Sequence, residues 1–428
     1  MRVVVVGGGV IGVSSAFELA LRGHEVELFE AGEALAAQTS FANGGVITPG
    51  MCEPWNAPGV WRDLIASFFD SGSPMKLHLD AIPGLATWGL QFLAQSSTRR
   101  FTANTQASFA LCQYSLQHTT RWVMEHGLAC HYRSPATAGG AVATGNMKIF
   151  PDRQSSAFSM RLLELLKPLG LQVECLSADA VLEKEPALAA IRHTIECGLY
   201  FPADTSGDAR LFTRAVGAKL IEAGGRIHFN QRVEALLGDR KRVRGVVVNG
   251  QTIEADAVVV AAANASPELL TPYAVRLPIK PVKGYSLTID ISHVDTKPRI
   301  PVINQAMHAV LNPLGESLRV AGTAEFTRCG DTTLGKARID NMKALVRGTY
   351  PDIAAQLGDE HIQPWCGFRP MTPDGKPYIG GSGINGLYVN AGHGYLGWTQ
   401  AVGSALVLAD SIESRALAID GAQFSVNR

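Results

Sequence analysis

Arg2-Val3-Val4-Val5-Val6-Gly7-Gly8-Gly9-Val10-Ile11-Gly12 is the stretch whose reading decides the fold. The valine run is β-branched and does not alternate, the pattern of a parallel strand buried on both faces. A Gly-x-Gly-x-x-Gly turn follows, and an apolar helix reads on from it to about Leu21, with Gly23 just past its end as a left-handed cap. Residues 25–30 read as a second strand. In that setting Gly7 permits the tight turn, Gly9 lets a pyrophosphate approach the backbone, and Gly12 lets helix and strand pack closely. The helix N-terminus at Val10 and Ile11 turns its positive dipole end to the phosphates. Glu30 closes the second strand, where a carboxylate holds ribose hydroxyls and disfavours a 2′-phosphate. The sequence therefore predicts a dinucleotide site and argues against NADP. The competing reading is an ordinary turn with a surface glutamate.

Two distant segments favour a flavin over NAD. Thr39-Ser40-Phe41-Ala42-Asn43-Gly44-Gly45 follows the acid closely, where an extended flavin chain would run on past its pyrophosphate. Gly392-His393-Gly394-Tyr395-Leu396-Gly397-Trp398 leads into a closing helix that begins at Thr399. A helix N-terminus aimed at a flavin ring would stabilise the negative charge that reduction places there. Taken singly, the first segment also reads as a polar loop and the second as a tight turn before a core helix.

Outward from these pieces, residues 31–80 are irregular and rich in Gly, Pro and Ser, a loop long enough to imply ligand contact. Residues 81–200 read as mainly helical. A helix over 209–223, a strand over 226–229, a hairpin over 243–253 and a buried strand over 255–262 follow. Tyr285, Leu287, Ile289 and Ile291 alternate with Ser286, Thr288, Asp290 and Ser292, as in a half-exposed antiparallel strand. Residues 386–413 again run strand, glycine turn, helix. The predicted fold is α/β plus α+β: a discontinuous Rossmann-like cofactor domain (1–80, 201–280 and 366–428) with an inserted substrate domain (81–200 and 281–365) built on an antiparallel sheet.

Composition narrows the function. A chain of 428 residues with 46% hydrophobic residues and zero formal charge is a well-buried globular protein without a footprint for nucleic acid. No apolar run is long enough to span a bilayer, so no transmembrane segment is expected. The seven cysteines are scattered, and with the first strand starting just after Met1 no secretory leader is expected. A reducing, cytoplasmic setting is expected, with peripheral attachment to the inner face of the cell membrane left open. The eleven histidines show no HxxxH or HxH spacing, and no metal site is expected.

Together the segments resemble the D-amino-acid oxidase and glycine oxidase group of flavoenzymes, and within it the catalytic subunit of bacterial D-amino-acid dehydrogenases. The motifs that carry the resemblance run almost the length of the chain: residues 39–45 with Thr48-Pro49-Gly50, then Pro54-Trp55-Asn56-Ala57-Pro58-Gly59, Pro281-Val282-Lys283-Gly284-Tyr285-Ser286-Leu287-Thr288, Gly367-Phe368-Arg369-Pro370-Met371-Thr372-Pro373-Asp374-Gly375, and residues 392–399. The resemblance implies non-covalent FAD, held by Gly7, Gly9, Val10, Ile11, Gly12, Glu30, Thr39, Ser40, Asn43, Gly44, Gly45, Val233, Ala262, Gly392, His393, Gly394, Leu396, Gly397, Trp398 and Thr399. It implies hydride transfer from the α-carbon of a small amino-acid or imino-acid substrate to flavin N5, giving a 2-oxo acid and ammonia, with a membrane quinone or similar non-oxygen acceptor. Arg369 is the expected carboxylate clamp, since guanidinium meets carboxylate in a two-pronged geometry. The competing reading pairs it with Asp374 on a surface turn. Tyr285 is the expected second donor, with a core tyrosine as its competitor. Tyr395 departs from the small residue usual at that place and either narrows the pocket or adds a hydroxyl. His393 is weighed as a proton acceptor against simple packing beside the flavin; Trp55 and Trp398 read as packing. Two enzymatic alternatives stay open, a D-proline or hydroxy-D-proline dehydrogenase and an oxygen-using D-amino-acid, glycine or sarcosine oxidase. A non-catalytic flavin-holding subunit is a third.

Overall fold

A computed structural model describes residues 1–62, 75–78, 81–137, 144–305, 309–327 and 330–428. Cys329 and parts of the 31–80 loop lie outside the described residues.

The opening valines form a strand, Arg2–Val6, at the middle of a six-stranded sheet. Across that sheet run Tyr378–Gly381, Leu387–Ala391, Ala257–Val260, Arg2–Val6, Glu25–Phe29 and Arg226–His228. All neighbours pair in parallel except the edge strand Tyr378–Gly381. Unbroken valine suits this place because both faces are covered. Val3 and Val5 enter one hydrophobic cluster, and Val4 and Val6 enter another. The first cluster is roofed by the helices Val10–Leu21, Ala209–Glu222 and Gly397–Ile412. On the opposite face lies a three-stranded antiparallel meander, Val233–Gly238, Val243–Val248 and Gln251–Glu254.

The second sheet has nine strands, ordered Ile362–Met371, Lys280–Asp290, Ser317–Phe326, Ala309–Leu314, Val302–Asn304, Asn146–Phe150, Cys197–Phe201 and Glu174–Ser177, with Met75–Leu77 beside Ser317–Phe326. It is mixed: Val302–Asn304 joins Asn146–Phe150 in parallel, and Met75–Leu77 also pairs in parallel. The other pairings of the sheet are antiparallel, as expected, and these two parallel ones are the departure. The physical reason is connectivity, because a strand reached by a long excursion is free to enter in either direction.

A second correction concerns Lys280–Asp290, expected to be half-exposed. It is buried on both faces from Val282 to Leu287. Tyr285, Leu287 and Ile289 pack into the substrate-sheet core, while Gly284 on the alternate face borders a large cavity. Of the polar residues of the alternation, Ser286 is buried and Thr288, half-buried, accepts from Arg319 Nε, while Asp290 and Ser292 are exposed. The long helix Thr98–His126 lies within the stretch assigned by sequence to the substrate domain. Its Leu111, Leu116, Trp122 and Val123 nevertheless join the core of the parallel sheet.

Among the described residues no helix is long and apolar enough to cross a membrane. Cys52, Cys112, Cys130 and Cys366 are buried, Cys197 is half-buried and Cys175 is exposed.

Candidate functional site

The carboxyl ends of the parallel strands open into a cavity of about 1130 Å³ between the two sheets. Ligands of open α/β sheets bind at that end. Ordinary small-ligand clefts measure roughly 300–1,000 Å³, so there is room for a dinucleotide together with a substrate.

Local chemistry builds the cradle. Gly7 has φ +115°, and a Cβ there would lie 2.6 Å from the carbonyl oxygen of Ala261. A Cβ on Gly12 would sit 1.9 Å from the carbonyl oxygen of Gly7. Gly12 therefore sets the strand–helix approach without lining the cavity, whereas Gly7, Gly9, Val10 and Ile11 line it. A helix cannot satisfy its own first N–H groups; Ser40 Oγ accepts that of Val10 at 3.1 Å. Glu30 accepts from the Gly8 N–H at 2.6 Å and from the Gly32 N–H at 2.7 Å, which fixes its carboxylate at the cavity wall.

Every other residue expected to hold the cofactor also borders this cavity. Thr39, Ser40, Asn43, Gly44 and Gly45 form one side, with Thr39 Oγ1 donating to the Phe368 carbonyl at 2.7 Å and Asn43 Oδ1 accepting from the Gly45 N–H at 3.0 Å. Val233 and Ala262 face it from the meander and from the loop after Ala257–Val260. Gly392, His393, Gly394, Leu396, Gly397, Trp398 and Thr399 form the opposite end, where Gly397–Ile412 begins without a side-chain cap. Its positive dipole end is turned to the cavity.

Arg369, on Ile362–Met371, is half-buried and lies across Gly284, where a Cβ would come 2.2 Å from its Nη1. Nη1 donates to the Thr323 carbonyl at 3.0 Å, and the guanidinium carbon is 5.8 Å from the Trp55 ring. Among the described residues it makes no ion pair. Asp374, its alternative partner, is bound by Arg428 at 2.9 Å. Burial pulls the Arg369 pKa down to about 10, which leaves it charged at neutral pH.

Tyr285 borders the cavity, yet its hydroxyl donates to Glu325 Oε2 at 2.9 Å, and Glu325 in turn holds Arg338 at 2.6 Å. Its proton is thus already engaged, and burial beside that carboxylate pushes its pKa up. Tyr395 stacks on Trp55 with centroids 5.5 Å apart, and its hydroxyl donates to the carbonyls of Met51 and Glu53. It therefore narrows the cavity with its ring. His393 is 3% exposed, its Nε2 has no hydrogen-bond partner among the described residues, and burial lowers its pKa to about 3. The imidazole is neutral at physiological pH.

Three features were not visible in the sequence. Thr323, whose carbonyl anchors Arg369, has φ +59°, a strained setting for a β-branched residue. Thr48 lines the cavity and donates from Oγ1 to the buried Asp204, which Asn146 also contacts at 3.4 Å. Lys148 reaches the cavity from Asn146–Phe150. Thr323 and Lys148 sit in no local motif and are brought in by strand pairing across the second sheet, whereas Thr48 opens the Thr48-Pro49-Gly50 motif and meets Asp204 beside the pairing of Val46–Ile47 with Thr205–Ser206.

The unpartnered imidazole nitrogen of His393, the buried indole N–H of Trp398 and the two glycine-lined helix starts fit a flavin dinucleotide. The comparisons agree. A family model described as FAD dependent oxidoreductase matches residues 2–411. A D-amino acid dehydrogenase of Allorhizobium ampelinum is 35% identical, covering 100% of this chain and 98% of that protein. One from Cereibacter sphaeroides is 36% identical over 100% of this chain and 95% of its own length. Among solved structures, glycine oxidase from Geobacillus kaustophilus superposes with a TM-score of 0.75 at 24% identity, covering 100% and 98% of the two chains. L-proline dehydrogenase from P. horikoshii gives a TM-score of 0.76 at 18% identity over 100% and 97%. These structural likenesses speak to the fold.

Proposed function

This chain belongs to the family of FAD-dependent oxidoreductases, and on that premise we propose that it oxidises a D-amino acid at the α-carbon and passes the electrons to a non-oxygen acceptor such as a quinone. It acts on amino-acid CH–NH₂ or CH–NH donors, and its FAD is held without a covalent link. The D configuration and the dehydrogenase acceptor draw support from full-length relatives that carry that activity.

The observation that carries the substrate assignment is Arg369, a half-buried guanidinium on the cavity wall with no carboxylate partner among the described residues. A partly desolvated charge without a counter-ion is costly unless a ligand completes it. In this reading Arg369 grips the substrate carboxylate, and Thr323 and Trp55 hold the guanidinium in place. The Tyr395 and Trp55 rings confine the substrate and exclude water. Tyr285 positions the wall through Glu325 and Arg338. His393, kept neutral by burial, packs beside the flavin and takes no proton. The amine is therefore neutral when its α-hydrogen leaves with the electron pair. FAD, when bound, supplies the acceptor for that pair. Loss of the hydride from the neutral amine makes the C–N bond double as an iminium, and water then adds to that carbon and displaces ammonium, leaving the 2-oxo acid.

The exposed Trp61, Leu90 and Leu93 lie close in sequence to Val60, Trp88 and Phe92 of a buried cluster. They suit peripheral attachment at a membrane's inner face, where a quinone would be met. The test is an anaerobic screen for flavin bleaching across D- and L-amino acids, prolines and N-methylglycine. Bleaching by D-amino acids alone, with quinone reduced in preference to oxygen, is the expected result; preferential bleaching by L-forms overturns the stereochemical assignment. Arg369→Ala should retain the flavin and lose about 1.5–3 kcal/mol or more of substrate capture, read as kcat/KM. Near-normal turnover in that variant would remove the clamp.

A further inference from the structure

We propose, building on the assignment of Arg369 to the α-carboxylate, that Lys148 forms a second anion subsite in the same cavity, and that the preferred substrate carries a side-chain carboxylate.

Lys148 lies on Asn146–Phe150, on the face it shares with Asn146 and Phe150, and is 6% exposed. Lys148 borders the cavity, and its ammonium donates to Ser159 Oγ at 3.2 Å. An ammonium carries three donors. No carboxylate among the described residues approaches it as an ion pair. Burial pulls the Lys148 pKa down, and Glu53, which does not line the cavity, opposes that only through space. Burial pushes the Glu53 carboxyl up, toward its neutral form. A buried ammonium with a neutral hydroxyl as its partner lacks the anion that would offset its desolvation.

The distribution of charge around the cavity points the same way. Its acidic lining residues are Glu30, Glu234 and Glu268, at the dinucleotide turn, on the meander, and just beyond Ala257–Val260. The wall made by the nine-stranded sheet contributes Arg369 and Lys148 and, among the described residues, no acid. An amino acid that reacts as its neutral amine has one negative charge. With a second carboxylate on its side chain it has two, matching the two cations. Trp55 faces Arg369 and stacks on Tyr395, whose hydroxyl binds the backbone of Glu53, the residue that acts through space on Lys148. A side chain running from Arg369 would pass along that aromatic pair.

The experiment uses the FAD-loaded protein and reads ligand binding by the perturbation of flavin absorbance, so that it does not depend on turnover. Malonate, succinate, glutarate and adipate are each compared with the monocarboxylate of equal carbon number. At least one diacid should bind about tenfold or more tightly than its monoacid partner, as expected for one charge-assisted hydrogen bond, and the best chain length reports the span to Lys148. Lys148→Met should abolish that preference while leaving monoacid binding nearly unchanged. In turnover, kcat/KM for the acidic D-amino acid of matching length should fall by a similar factor, with neutral D-amino acids spared. Equal affinity for every diacid and monoacid in the unaltered protein overturns the proposal, as does a preference that survives in Lys148→Met. Should that variant lose its flavin, the unaltered protein's diacid preference and its retention in Lys148→Arg decide. Diacid selectivity that depends on Lys148, without bleaching by any amino acid, would sustain the subsite while refuting the reaction.

Discussion

At the residue scale the site is set by where hydroxyl and imidazole protons already go. Tyr395 looks like a substrate ligand when only its place in the glycine-rich turn is considered. Its hydroxyl, however, is turned away to the carbonyls of Met51 and Glu53, and its ring faces Trp55. Tyr395→Phe removes these bonds and keeps the ring. It should cost stability on the order of 1–2 kcal/mol, read from denaturant unfolding, and change kcat/KM little. A large loss of kcat/KM with unchanged stability would instead put the hydroxyl on the substrate. Tyr285 teaches the same lesson. Alternation along 285–291 correctly gives the face on which its ring lies, but nothing local reveals that Glu325, on the neighbouring strand, accepts its proton.

At the scale of elements, the placement of the two helix starts depends on close packing behind them. The Gly397–Ile412 helix meets Thr98–His126 at Gly403, whose N–H donates to Ser115 Oγ at 3.0 Å. A Cβ on Gly403 would lie 2.7 Å from the Ser115 Cβ and 2.9 Å from its Cα, where no flexible side chain can yield. Gly403→Ala should therefore force the helices apart, at a cost typical of overpacking, about 1–3 kcal/mol. Because the same helix presents Gly397, Trp398 and Thr399 to the cavity, FAD should also be released more readily, which fluorescence of the freed flavin would follow. Unchanged melting temperature and flavin retention would show that the contact can relax. The sequence reveals the ends of this arrangement more readily than its middle. The 2–30 unit and the 392–399 turn are legible because each encodes its geometry within a few residues. The packing of Thr98–His126 on the parallel sheet is not, since a helix's apolar stripe does not say which core it joins. Lys148 and Thr323 are invisible for a related reason: their meaning comes from strands paired far apart in the chain.

At the scale of the whole molecule, the two sheets are tied through a buried polar knot. Asp204 accepts from Thr48 Oγ1 and is contacted by Asn146 Nδ2, which belongs to the nine-stranded sheet. The Thr48 N–H points to Thr399 Oγ1 in the closing helix, at 3.4 Å. Burial raises the Asp204 carboxyl from 3.8 to about 7, and the two hydrogen bonds oppose that rise without cancelling it. A raised carboxyl pKa means that the folded protein holds this proton where the unfolded chain has lost it. The stabilisation from the held proton is fully present below the unfolded pKa near 4 and is lost as pH climbs from there through about 7. Above that the penalty is constant, and at about 1.4 kcal/mol per unit it amounts to at most roughly 4.5 kcal/mol. Asp204→Asn keeps the size and the acceptor oxygen without the charge. The variant should match the unaltered protein near pH 4 and exceed it in unfolding free energy by a few kcal/mol at pH 8, with the gap opening between pH 4 and 7. A difference that is flat with pH would mean that Asp204 ionises in the fold as it does in the unfolded chain, and that the knot between the sheets is held by a charged carboxylate.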